Sequence, residues 1–139
     1  AYHRLAAAGD DSPESWRAVR ALLVKANAAD TEDPLPLFNW YESYRYQRRA
    51  PTKTARDALA KAFALQPEAT EVRVAYIIDL ARNREYEPAL AMARLLAQDP
   101  HRGEYGQQIL RQVELMREIA AKAAAAEDKP ATAAAAKAP

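Results

Sequence analysis

The sequence predicts an all-α chain, and three observations carry that reading. Apolar residues recur at the three- and four-residue spacing of a helix face along most of its length. Ala, Leu, Arg, Glu and Lys, which favour helices, are abundant, while glycine occurs three times among 139 residues. No run of alternating β-branched residues argues for a strand.

The elements follow in order. Residues 1–8 place Tyr2, Leu5 and Ala6 at helical spacing, as in the last turns of a helix that begins upstream. The chain starts at Ala1 without a methionine or a signal-type apolar segment, which reads as a fragment or a processed product. Gly9-Asp10-Asp11 is a break. Ser12-Pro13-Glu14 then has the marks of a helix start: a capping hydroxyl, a proline where no N–H is missed, and an acid in the first turn. Trp16, Val19, Leu22, Leu23 and Ala26 lie on one face of that helix, which ends in Asp30-Thr31-Glu32-Asp33-Pro34.

Asp33-Pro34-Leu35-Pro36 opens a second helix with Leu37, Trp40, Tyr41 and Tyr44 as its stripe. Residues 45–54 are polar and basic, with Pro51 as a breaker, and Thr52 or Thr54 caps a third helix carrying Ala55, Leu59, Ala62 and Phe63 up to Pro67. Val74, Tyr76, Ile77 and Leu80 mark a fourth, broken at Arg82-Asn83-Arg84. Tyr86, Ala89, Leu90, Ala93 and Leu96 mark a fifth, closed by Asp99-Pro100. A turn at His101-Arg102-Gly103 precedes a long amphipathic helix over about 104–125, with Ile109, Leu110, Val113, Met116, Ile119 and Ala120 on its apolar side. The chain thus divides into a helical domain, 1–126, and an Ala/Pro/Lys tail, 127–139, with too little apolar bulk to pack.

Composition narrows the function. Lys plus Arg is 20 against 19 for Asp plus Glu, so the net charge of +1 gives no global case for nucleic acid. There is no cysteine, hence no disulfide or thiol chemistry, which suits the cytoplasm and equally a periplasmic or secreted bacterial protein. No apolar run reaches the ~20 residues of a membrane span. His3 and His101 are the only histidines, without partners at ligand spacing, and no glycine-rich phosphate loop or nucleophile elbow occurs. The expectation is a non-enzyme without metal or cofactor. Arg45, Arg48, Arg49, Lys53 and Arg56, near Tyr44 and Tyr46, form a local basic cluster that reads first as a solvated turn and distantly as a nucleic-acid surface.

Residues 12–100 resemble the tetratricopeptide repeat, a helix–turn–helix unit of about 34 residues. Tyr76, Ile77 and Leu80 match the large residues of the family's first helix, Tyr86, Ala89 and Ala93 the aromatic and small residues of its second, and Pro100 the closing proline. Leu37–Trp40–Tyr41–Tyr44 repeats as Arg73–Tyr76–Ile77–Leu80 after 36 positions. Tyr41 and Ile77 stand where the family has a glycine. The resemblance implies an α-solenoid closed by the long C-terminal helix. It also implies a concave groove formed by Leu35, Phe38, Asn39, Glu42, Arg45 and Tyr46 from one unit and Glu71, Val74, Ile78, Asp79 and Arg82 from the next. Its occupant would be a peptide or partner helix, or an upstream domain of the same parent chain. Of the residues that clamp a partner's carboxylate in some family members only Asn39 is matched; Phe38, Val74 and Ala75 disfavour that subtype.

The function expected is protein–protein interaction. The alternative is a structural or dimerising C-terminal appendage of a larger exported bacterial protein, since residues 25–101 look similar to helical C-terminal regions of some secreted peptidase-like proteins. A homodimer is compatible with either.

Overall fold

A computed structural model describes residue 4, residues 7–9 and residues 12–128. Residues 129–139 of the expected tail at 127–139 and most of the expected helix at 1–8 lie outside the described residues. Among the described residues the secondary structure is helical, with six long helices: α1 Pro13–Ala29, α2 Pro34–Tyr46, α3 Lys53–Leu65, α4 Thr70–Arg82, α5 Tyr86–Ala97 and α6 Gly103–Glu127. The chain divides into two compact units, Ala1–Tyr76 and Ile77–Pro139.

In the first unit the helix starts are those the sequence advertises. Ser12 Oγ accepts the Ser15 N–H at 3.3 Å ahead of Pro13, and an Asp33 carboxylate oxygen accepts the Leu35 N–H at 2.9 Å ahead of Pro34. Of the two threonines proposed as caps, Thr52 serves, its hydroxyl accepting the Ala55 N–H at 3.2 Å. Leu37 and Tyr41 from α2, Ala58, Leu59 and Ala62 from α3, and Val72 from α4 form the core. Small residues on α3 let its backbone approach α2, and Phe63 stacks on Tyr76 with ring centroids 4.9 Å apart. Trp16 and Val19 are the buried part of the α1 stripe. Leu22, expected beside them, is 56% exposed, because the buried side of α1 turns toward Arg20 instead.

Arg20 joins α1 to α2. Its Nε donates to Ser43 Oγ at 2.8 Å, and its Nη2 donates to Gln47 Oε1 at 2.7 Å and to the Ser43 carbonyl at 3.4 Å. The guanidinium lies 3.9 Å from the centre of the Tyr44 ring. Ser43 and Gln47 are both buried, so this one cation satisfies polar groups that water cannot reach.

The second unit buries Ile77, Leu80, Ala81, Ala89, Leu90, Ala93, Leu96, Ile109 and Val113. α5 and α6 run antiparallel: Gly106 abuts the backbone of Leu96 and Ala97, and Arg117 lies 3.5 Å from Glu87. A Cβ on Gly106 would fall 2.5 Å from three backbone atoms, so the two helices meet there only because that residue is glycine. Arg117 is level with the start of α5, which has 12 residues against the 25 of α6. Ile119, expected on the packed stripe, is for that reason 59% exposed: it lies past the end of its neighbour.

One backbone motif recurs. α2 and α4 have 13 residues each, begin 36 positions apart, and end in the same way. After α2, Arg48 is left-handed (φ 52°), its N–H donating to the Arg45 carbonyl and that of Arg49 to the Tyr44 carbonyl. After α4, Arg84 is left-handed (φ 64°), its N–H donating to the Ala81 carbonyl and that of Glu85 to the Leu80 carbonyl. Both are Schellman caps with arginine where glycine is usual. This recurrence is consistent with a helical repeat.

Candidate partner-binding groove

A pocket of about 250 Å³ opens in the first unit where the start of α2 meets the turn between α3 and α4. Pro34, Leu35 and Phe38 line it from α2, Gln66 from the end of α3, Ala69 from the turn, and Thr70, Glu71 and Val72 from α4. Its geometry follows from local sequence. Prolines at the α2 start leave no orphan N–H there, and the α3–α4 turn is tied by the Arg73 Nε donating to the Pro67 carbonyl at 2.9 Å. The volume suits one large apolar side chain. Leu35 at the mouth is 59% exposed, and Phe38 is half-buried.

The rim is acidic. Glu71 lines the pocket and is exposed, Glu32 and Asp33 immediately precede Pro34, and Glu68 sits in the turn beside it. None of the lining residues is basic.

The eleven groove residues inferred from the sequence separate into groups. Leu35, Phe38 and Glu71 come together in this pocket. Asn39 and Val74 are half-buried in the same unit and outside it. Glu42 is buried and Arg45 is exposed, with Arg45 Nη2 donating to Glu42 Oε2 at 2.6 Å along α2. Partial burial disfavours the charged Arg45, but the Glu42 carboxylate and the bond it accepts outweigh that, and the pKa is raised. Tyr46 is exposed, with the Arg45 guanidinium 5.6 Å from its ring centre. Ile78, Asp79 and Arg82 belong to the second unit, where Asp79 is buried, Ile78 half-buried and Arg82 exposed. The residues that sequence reasoning missed are Pro34, Gln66, Ala69, Thr70 and Val72. Pro34 was visible only as a helix start, and Pro67 was the only signal for Gln66 and Ala69, because a turn's contribution to a pocket has no periodicity.

The basic cluster is partly engaged within the unit. Arg45 pairs with Glu42, and Lys53 Nζ donates to Asp57 at 2.7 Å. Burial lowers the Arg20 pKa and the nearby Arg49 adds to that, while Tyr44 opposes it. A second depression, of about 590 Å³ and more polar, lies at the start of α6 and is lined by residues 100–105 and Gln108, including His101. Among the described residues no three His, Asp or Glu side chains gather as a metal site would require, and no helix is long and apolar enough to cross a membrane.

Comparison with protein-family models, with curated proteins and with solved structures gives no match.

Proposed function

We propose that this chain is a non-catalytic protein–protein interaction module, a tetratricopeptide-like helical repeat that takes a partner segment at the start of α2. The observation that carries the reading is the pocket formed by Leu35, Phe38, Ala69 and Val72, apolar inside with Leu35 and Glu71 exposed at its mouth. An apolar concavity with Glu71 at its mouth fits a segment with one bulky apolar anchor and a Lys or Arg beside it. The 36-residue recurrence of helix length and cap supports the repeat part of the reading. Nucleic acid is not part of it, because Arg45 and Lys53 already have carboxylate partners.

The test is selection from a random 12-residue peptide library on residues 1–139, with Phe38→Glu used to remove peptides that bind elsewhere. Enriched peptides sharing a bulky apolar residue among basic ones support the proposal. A selection in which no peptide distinguishes the parent from Phe38→Glu overturns it.

A further inference from the structure

α6 outruns the helix it packs on. Arg117 reaches Glu87 at the second residue of α5, and the remaining ten residues of α6, 118–127, continue for ~15 Å beyond it. Past Val113 no residue of α6 is fully buried. The stretch is nonetheless amphipathic. Leu115 (55% exposed), Met116, Ile119 (59% exposed), Ala123 and Ala126 fall on one side, and Glu114, Glu118 and Lys122 flank it. A helix face of this kind lacks a partner within the unit.

We propose that the partner is the same segment of a second copy of the chain, paired antiparallel about Ile119. The sequence is self-complementary in that register. Residues 112, 116, 119, 123 and 126 follow the alternating four- and three-residue spacing of a coiled-coil seam. With Ile119 against Ile119 of the second copy, Met116 meets Ala123 and Gln112 meets Ala126, large against small in each layer. Glu118 lies beside Lys122 of the second copy, and the two-fold symmetry makes that pair twice. A parallel pair would instead stack Met116 on Met116, Ala123 on Ala123 and Ala126 on Ala126, leaving the alanine layers underfilled. The large-to-small layers thus select the antiparallel pairing and its register. The seam shares no residue with the pocket at the start of α2, so either can fail without the other.

The absence of cysteine allows a direct test on the full chain. Ile119→Cys should oxidise to a disulfide-linked dimer. Gln112→Cys and Ala126→Cys alone should not, since each lies ~21 Å along the axis from its own copy, yet the two mixed should cross-link. Sedimentation equilibrium then reads the charges. Glu118→Lys should weaken association about tenfold by setting two like-charge contacts, and adding Lys122→Glu should restore it. These positions are exposed, so circular dichroism should be unchanged throughout. A chain that stays monomeric up to ~1 mM overturns the proposal. Equal cross-linking at 112, 119 and 126, as a parallel pair gives, or a double charge variant no stronger than the single one, overturns it as well.

Discussion

Arg48 and Arg84, 36 residues apart, hold the same left-handed backbone position after two helices of equal length. Each donates its N–H to the carbonyl three residues back, and the next residue donates to the carbonyl five back. An L-residue with a side chain is held there at a cost of ~1–2 kcal/mol, which glycine does not incur. Neither arginine was distinguishable in the sequence from other surface cations.

Replacing each with glycine should therefore stabilise the chain. Glycine's greater freedom in the unfolded state offsets part of the gain, leaving ~0.5–1 kcal/mol per site. Urea unfolding of Arg48→Gly and Arg84→Gly, read by circular dichroism, checks this. Arg48→Val, β-branched and disfavoured at positive φ, should move stability the other way.

Gly106 should tolerate nothing larger. Alanine there sets a methyl 2.5 Å from backbone atoms of Leu96 and Ala97, and backbone cannot rotate away as a side chain can. Separating α5 from α6 would loosen Leu90, Leu96, Ile109 and Val113, so a loss of roughly 2–4 kcal/mol is expected. Gly103→Ala is the control. Its added methyl meets a single carbonyl at 3.1 Å, and alanine's better helix propensity, worth ~1 kcal/mol, works in its favour. Thermal unfolding should separate the two variants clearly.

Arg20→Ala should cost about 1–3 kcal/mol, because Ser43 and Gln47 stay buried and lose a donor. Ser43 Oγ keeps its own bond to the Trp40 carbonyl at 2.6 Å, which limits the loss. Arg20→Lys keeps the charge without the fork and should recover only part of it. Unfolding curves for the pair test whether the geometry or the charge matters.

The helical architecture was legible because periodicity and capping chemistry are local. Ser12-Pro13, Asp33-Pro34 and Thr52 announce their helix starts within three residues. What was illegible depends on neighbours. Leu22 and Ile119 sit on good apolar stripes, but a stripe is buried only where another helix reaches it, and α5 ends before Ile119. Nothing in the sequence marks Arg20, whose partners Ser43 and Gln47 come from α2 and the residue after it. Gln66 and Ala69 of the pocket come from the α3–α4 turn, whose residues carry no repeat signal.

The most direct test of the partner-binding proposal is chemical-shift mapping of the ¹⁵N-labelled chain with a selected Lys-flanked peptide. The account predicts shifts concentrated at Leu35, Phe38 and residues 69–72, lost in Phe38→Glu and weakened by Glu71→Lys. Shifts confined to the basic turn at 45–56 or to α6, with the α2 start unmoved, would contradict it.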